Sequence, residues 1–152
     1  MRFLFQTSDS IIPLILRIGL GIIIFAHGAQ KMLGIWGGSG PSKTVANWQI
    51  WFDLSPTVTW LVIIGEFFSP ILLIAGFLTR VGAFIISVII IGAVLLVHRG
   101  QFYMNWYMEA NRSEGFEFHI LILTVTLCLM VAGGGKFSID RKMALRSITK
   151  RS

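Results

Sequence analysis

The fold is decided by residues 58–97, VTWLVIIGEFFSPILLIAGFLTRVGAFIISVIIIGAVLLV. Only two side chains in this stretch of 40 residues, Glu66 and Arg80, are charged. A helix needs roughly 20 mostly apolar residues to cross the hydrocarbon core of a bilayer, so the stretch is long enough to cross it twice. The polar pair Thr79-Arg80 interrupts the apolar run near its middle. The sequence therefore predicts two membrane spans, at about 58–78 and 81–97, joined by a tight hairpin.

Two more apolar runs flank this hairpin and predict two further spans, at about 11–31 and 116–132. The whole chain of 152 residues is 55% hydrophobic and 13% charged, with a mean hydropathy of +0.77. These values are too apolar for a water-soluble domain of this length. Four spans use up most of the chain. We therefore expect a single all-α membrane-spanning domain over residues 1–152, folded as an antiparallel four-helix bundle.

The remaining segments are predicted to be two outer loops, 32–57 and 98–115, and a basic tail, 136–152. The first outer loop contains an aromatic segment, residues 45–54, that we expect to lie at the membrane interface. The second carries aromatic side chains that suit the same interface, namely Phe102, Tyr103, Trp106 and Tyr107.

Lysine and arginine residues fall unequally on the two sides of the predicted bundle. One side, which includes both termini, has eight: Arg2, Arg80, Lys136, Arg141, Lys142, Arg146, Lys150 and Arg151. The other has four: Lys31, Lys43, Arg99 and Arg112. Because cytoplasmic loops are enriched in these residues, both termini are predicted to be cytoplasmic. The net charge of +6 is thereby explained by the membrane surface, and we expect no nucleic-acid partner.

Ionisable side chains within the spans are candidates for function. Each costs roughly 2.5 to 3.5 kcal/mol on insertion scales, so such residues usually face the interior of a bundle or a wet cavity. Glu66 lies about 13 Å from the outer end of its predicted span, given a rise of 1.5 Å per residue, and its carboxylate should be protonated or paired. His27, His98, Glu117 and His119 are predicted to share this outer half. Their convergence from different helices favours a ligand-binding or proton-relay site, to which we add Gln30.

Glu117 and His119 are two residues apart and therefore point about 200° away from each other on a helix. At most one of them faces the interior of the bundle, and we expect Glu117 to do so. Arg17, Lys31 and Arg80 are interpreted as structural anchors. Arg17 is close enough to the inner end of its span for the side chain to extend, or snorkel, to the headgroups.

A metal or haem site is a weaker alternative. His27, His98 and His119 are the candidate metal ligands, and paired histidines on two helices could hold a haem. Their spacing does not require either group. Cys128 is the single cysteine, which excludes an internal disulfide and a CxxC redox pair. Any redox chemistry must therefore come from a bound cofactor or from a partner.

Short motifs spread over nearly the whole chain resemble the DoxX family of small bacterial membrane proteins, which are related to the membrane subunits of thiosulfate:quinone oxidoreductase. The motifs are Leu16-Arg-Ile-Gly-Leu-Gly21, His27-Gly-Ala-Gln-Lys31, Gly65-Glu66, Gly76-Phe-Leu-Thr-Arg80, Gly115-Phe-Glu117 and Gly135-Lys-Phe-Ser-Ile-Asp140.

The resemblance implies a multi-pass protein of the bacterial inner membrane, linked to quinone-coupled oxidation of sulfur compounds or to defence against oxidative stress. It places family motif positions on His27, Gln30, Lys31, Glu66, Arg80 and Glu117, but not on His98 or His119.

Three hypotheses follow for function. The first is a subunit of a quinone-linked oxidoreductase complex, not catalytic alone, which binds a small hydrophobic or redox ligand between its helices near the outer leaflet. The second is a non-catalytic assembly or scaffold subunit of a larger membrane complex. The third is a small proton-coupled carrier, although the spans show no obvious inverted repeat. The expected partners are the lipid bilayer and either other subunits or further copies of the chain. The sequence does not identify a cofactor; it is compatible with a quinone and fits haem or metal less well.

Overall fold

The computed structural model describes residues 2–105 and 115–149, and all regular secondary structure within these ranges is helical. The helices are α1 (Arg2–Phe5), α2 (Ile12–Leu33), α3 (Gly40–Phe52), α4 (Pro56–Ala75), α5 (Thr79–Ala93), α6 (Glu117–Ala132) and α7 (Ile139–Thr149). A π-helical turn, Val94–His98, continues α5. Following the predicted orientation, the end of the helices near Lys31 is called the outer end, and the end near Arg17 the inner end.

In the described part of the chain, three helices are long and apolar enough to cross a membrane. They are Ile12–Leu33, Pro56–Ala75 and Thr79–His98, and they confirm three of the predicted spans as apolar helices. The fourth predicted span, 116–132, is also an apolar helix, α6, but its 16 residues make it shorter than the three spans above, which have 22, 20 and 20 residues.

Local chemistry explains the bounds of α4, which begins and ends a few residues before the predicted 58–78. The Ser55 side chain accepts a hydrogen bond from the Val58 backbone N–H, and Pro56 takes the first helical position, where its missing N–H costs nothing. Gly76 ends the helix with a left-handed conformation, φ 65°.

The apolar helices contact one another in a closed order: α2 packs on α4, α4 on α5, α5 on α6, and α6 on α2. Leu20, Leu73, Ile86 and Leu129 lie in the core between them. Large apolar side chains also cover the outside, where Val131 is 71% exposed. A water-soluble protein rarely leaves so much apolar surface open, whereas lipid would cover it.

Two segments outside these helices have more regular structure than the sequence specified. The aromatic segment 45–54 belongs to a longer helix, α3, which packs against both α2 and α4. Much of the predicted basic tail is helical, as α7. Trp106 and Tyr107, expected at the interface, lie outside the described residues, as does Arg112.

Arg17 was expected to snorkel to the headgroups, and this prediction is wrong. Its side chain is 1% exposed and lies inside the protein. The guanidinium donates to the backbone carbonyls of Leu73 at 3.0 Å, Phe137 at 3.0 Å and Gly134 at 3.1 Å, and also to that of Ile74. The chain that follows α6 covers the inner ends of α2 and α4. Its carbonyls at Gly134 and Phe137, together with the last carbonyls of α4, replace the water that snorkelling would have reached.

Asp140 completes this end of the molecule. It is 1% exposed, and its carboxylate accepts hydrogen bonds from the backbone N–H groups of Leu78 and Thr79, at 2.8 and 2.9 Å, and from the Thr79 hydroxyl at 2.8 Å. A negative charge at the N-terminus of α5 is favoured by the helix dipole. Arg17, Thr79 and Asp140 are called the inner polar layer below.

Candidate ligand-binding site

Glu66 and Lys31 form an ion pair between α4 and α2. The Lys31 Nζ lies 2.6 Å from the Glu66 Oε2, and the two side chains are 20% and 14% exposed, respectively. We expected the Glu66 carboxylate to be either paired or protonated, and the structure shows that it is paired. The assignment of Lys31 as an anchor missed this contact.

The close packing of α2 on α4 decides the depth of this pair. A Cβ atom on Gly28 would overlap the Glu66 backbone carbonyl and lie 2.7 Å from the Phe67 nitrogen, so only glycine permits this approach. Glu66 therefore lies level with Gly28, five residues before the end of α2 at Leu33. At 1.5 Å per residue this is about 7.5 Å from that end, shallower than the 13 Å expected along α4. The first turns of α4 rise past the end of α2, beside α3.

A cavity of about 210 Å³ lies above the ion pair, between the outer end of α2 and the helix α3. We call it the outer cavity. The Lys31 Nζ lies 5.8 Å from the centroid of the Trp48 ring, a cation–π distance. Its described lining combines charged, amide, hydroxyl and indole groups: Gln30, Lys31, Gly37, Gly38, Ser39, Thr44, Asn47, Trp48 and Trp51.

The loop between α2 and α3 is held over the cavity by Gln30. The Gln30 side chain donates from Nε2 to the Trp36 carbonyl at 3.1 Å. Gly38 packs directly on the Gln30 backbone, where a Cβ atom would overlap it. Gln30 therefore lines the outer cavity, but its side chain uses part of its hydrogen-bonding capacity to fix the loop.

His27 does not belong to the described lining of the outer cavity. Its side chain is exposed on α2, one residue before the buried Gly28. In a membrane this surface would contact lipid or a partner rather than a ligand beside Glu66.

A second polar pair lies between α5 and α6, where the rings of His98 and His119 have centroids 4.4 Å apart. His119 is the buried member of the Glu117 and His119 set, with 9% of its surface exposed, so the prediction that Glu117 faces the interior is wrong. Glu117 instead accepts a hydrogen bond from the Met104 backbone N–H at 3.1 Å, which fixes the loop before α6. Within the described residues, the His119 Nδ1 has no hydrogen-bond partner.

The predicted site thus divides into two pairs on different helix contacts, Lys31 with Glu66 and His98 with His119. His27, His98 and His119 do not assemble as a set of metal ligands. Among the residues that the structure describes, no group of three His, Cys, Asp or Glu side chains could hold a metal ion.

The sequence did contain a signal for the missed partner of Glu66. Lys31 follows Gly28 by three residues, and residues three apart lie on one face of a helix. A small residue that marks a helix contact therefore also indicates which nearby charge faces the neighbouring helix. Nothing comparable indicated Thr44, Asn47, Trp48 and Trp51, because their place at the cavity depends on how α3 folds back.

The groups at the outer cavity and beside it define the chemistry that is available there. In the described lining, an ammonium group and amides can donate to carbonyl oxygens, and indole rings offer flat apolar surfaces. The Glu66 carboxylate is outside this lining but is paired with Lys31, and it can accept or return a proton. A scan against protein-family models matches the DoxX family over residues 12–99, which include the ion pair and the outer cavity. No curated protein and no solved structure gave a significant match.

Proposed function

The chain belongs to the DoxX family, and from this premise we propose that it is a membrane subunit that binds the polar ring of a membrane-dissolved redox ligand, a quinone, in the outer cavity. The observation that carries the proposal is the Lys31–Glu66 ion pair beside that cavity. A partly exposed ion pair at a helix contact contributes little to stability, so its position next to an open, mixed polar and aromatic space favours a role in binding.

The architecture we propose for this subunit is an antiparallel four-helix bundle in the bacterial inner membrane, formed by α2, α4, α5 and α6 with both termini cytoplasmic. The closed order of helix contacts supports the bundle. The excess of lysine and arginine on the side of the termini supports the orientation.

The size of the outer cavity limits what enters it. Pockets that enclose drug-sized ligands have volumes of about 300 to 1,000 Å³, and the outer cavity has about 210 Å³. The ring of a quinone therefore enters, while its isoprenoid tail stays in the lipid beside the apolar helices. The shallow position of Glu66, near the end of α2, agrees with this arrangement.

Each group at the site has a defined part in the proposal. The Lys31 ammonium donates a hydrogen bond to a carbonyl oxygen of the ring, and Trp48 and Trp51 contact its face. When Lys31 turns towards the ligand, the Glu66 carboxylate is left to accept a proton from the reduced ring or to return one. The electrons are exchanged with a partner oxidoreductase, because the single cysteine gives this chain no disulfide pair of its own.

The test is to purify the protein and its variants in lipid nanodiscs and to measure binding of a short-tailed benzoquinone. We expect Glu66→Gln and Lys31→Met each to raise the dissociation constant at least tenfold, which corresponds to about 1.4 kcal/mol. Lys43→Met, which removes an exposed charge from α3, is the matched control and should bind as the unaltered protein does. The quinone extracted from each preparation gives a second readout.

Equal binding by all these proteins, with no extractable quinone, would overturn the proposal. If a stable partner then still co-purified with the Glu66→Gln variant, the assembly-subunit hypothesis would replace it. The large exposed apolar surface of the helices would suit that role as well.

A further inference from the structure

The inner end of the molecule has a second and larger concavity, with a volume of about 500 Å³. It lies between the segment before α2, the last turn of α6, and α7, and we call it the inner groove. Its described lining is Gln6, Thr7, Ser8, Asp9, Arg80, Val131, Ala132, Arg141, Ala144 and Leu145. Neither the family match nor the proposed function gives this groove a role.

Arg80 joins two walls of the inner groove. Its Nη2 donates to the Gln6 carbonyl at 3.1 Å and to the Val131 carbonyl at 3.0 Å. The segment before α2 is thereby tied to the end of α6, and the positive charge of Arg80 is fixed at the groove. These two hydrogen bonds therefore fix the positions of the two walls relative to each other.

The charges around the inner groove are mainly positive. Arg80 and Arg141 line it, and Lys136 lies beside it. Asp9 is the carboxylate in the described lining, 2.5 Å from Arg141 and 3.9 Å from Lys136. Asp140 is buried, accepts its hydrogen bonds at the start of α5 and does not belong to the described lining. Among the described residues at the groove, three cations therefore stand beside one carboxylate, and this excess of positive charge suits an anion.

Apolar side chains continue the inner groove towards the membrane. Val131 and Leu145 are 71% and 55% exposed, and Val131 belongs to the last turn of an apolar helix. Helix α7 also exposes Ile139 and Met143 next to basic residues. A basic segment with exposed apolar side chains is typical of helices that lie on a membrane surface and contact anionic lipid.

A hydroxyl group in the inner groove points to the same ligand. The Ser8 Oγ is buried and has no hydrogen-bond partner within the described residues, although the Ser8 backbone N–H donates to the Ala132 carbonyl. A buried polar atom without a partner is costly, and it is satisfied when a ligand brings an acceptor oxygen. Phosphate oxygens are strong acceptors for both hydroxyl and guanidinium groups.

We propose that the inner groove binds the phosphate headgroup of an anionic phospholipid, whose acyl chains lie along Val131 and Leu145. Arg141 and Lys136 bind the phosphate in exchange for part of their contact with Asp9, and the Ser8 hydroxyl donates to it. The lipid then links α6, α7 and the segment before α2 at the membrane surface.

The experiment measures lipid binding to the full chain in detergent by native mass spectrometry, with phosphatidylglycerol and phosphatidylcholine as probes. We expect phosphatidylglycerol to bind at least fivefold more tightly than phosphatidylcholine. The double variant Lys136→Gln with Arg141→Gln should lose most of this preference. The double variant Lys43→Gln with Arg99→Gln, which removes the same charge from the outer end, should retain it.

Asp9→Asn is the decisive variant, because it removes the opposing carboxylate and should strengthen phosphatidylglycerol binding by twofold or more. A lipid preference that is absent, or that both double variants reduce equally, would overturn the proposal. Millimolar inorganic phosphate that displaces phosphatidylglycerol from the unaltered protein would also overturn it, because the groove would then bind free phosphate rather than lipid.

Discussion

The inner polar layer and the outer ion pair are both built from charged groups at helix contacts, but the surroundings of these groups differ. Arg17 is 1% exposed and donates to four backbone carbonyls, while Asp140 is equally buried and accepts three hydrogen bonds. Lys31 and Glu66 hold each other at 2.6 Å, remain partly exposed, and stand beside an open cavity.

This difference in surroundings indicates that the inner polar layer maintains the fold and that the outer ion pair serves binding. A buried polar network whose members are all satisfied fixes the positions of the elements that it joins, and removing one member leaves the others without partners. A partly exposed ion pair loses much of its energy to solvent and can exchange its partner for a ligand. We therefore expect substitutions in the inner layer to change stability, and substitutions at the outer pair to change binding.

The largest effect should come from Arg17→Met, which keeps an unbranched apolar stem and removes the guanidinium with its hydrogen bonds. Four carbonyls, two of them in buried contacts and two in partly buried ones, lose the guanidinium as a donor, so the free energy of unfolding should fall by about 3 kcal/mol or more. Thermal unfolding in detergent measures this loss. Arg146→Met, at an exposed position on α7, is the control and should change it by less than about 0.5 kcal/mol.

Quinone binding by the folded fraction of Arg17→Met sharpens the comparison. It should match that of the unaltered protein, because the inner polar layer lies at the opposite end of α2 from the outer cavity. A variant that is fully stable, or one that is stable but unable to bind, would contradict the division between the two regions.

The next effect concerns the helix contact that positions Glu66. Gly28→Ala places a methyl group against the backbone of α4, which must move, and we expect a loss of about 1 to 3 kcal/mol in the free energy of unfolding. Gly19→Ala is the matched control in the same helix, because a Cβ atom there meets nothing within 4 Å. Alanine is the better helix former, so Gly19→Ala should be neutral or stabilising by up to about 1 kcal/mol. Equal stabilities for the two variants would show that α2 and α4 pack less closely than described.

A smaller change in stability is expected when the outer ion pair is reversed by combining Lys31→Glu with Glu66→Lys. The pair can re-form with opposite polarity, so the free energy of unfolding should fall by less than about 1 kcal/mol. Quinone binding should nevertheless be lost, because the ammonium group no longer lies on the α2 side of the cavity. Calorimetry and the nanodisc binding assay together check both parts. Retained binding would assign the pair to structure.

The sequence predicted some of these features and missed others. Hydropathy located the apolar helices, and the cost of a buried charge correctly required a partner for Glu66. Helical spacing alone could not decide whether Glu117 or His119 faces the interior, and in the structure His119 does so. Arg17 was misplaced because the segment that covers it follows α6, more than 100 residues later in the chain. Such long-range contacts leave no periodic pattern, and neither does the return of α3 that forms the outer cavity.

The smallest expected effect concerns Asp9, which is a solvent-exposed carboxylate, whereas Asp140 is a buried one. The pKa of Asp9 lies below its ordinary value of 3.8, mainly because Arg141 donates a hydrogen bond to it. Desolvation raises this pKa by a smaller amount, and the positive charges of Arg141 and Lys136 lower it further. Because the pKa is depressed in the folded state, the stabilisation is fully present well above pH 3.8 and is lost as the pH falls through the lower folded-state value. A carboxyl titration by NMR should show this low pKa, and Arg141→Gln should return it towards 3.8. Because Asp9 is 68% exposed, Arg141→Gln should hardly change the overall stability. If Asp9 titrated normally in the unaltered protein, its contact with Arg141 would not be maintained in solution.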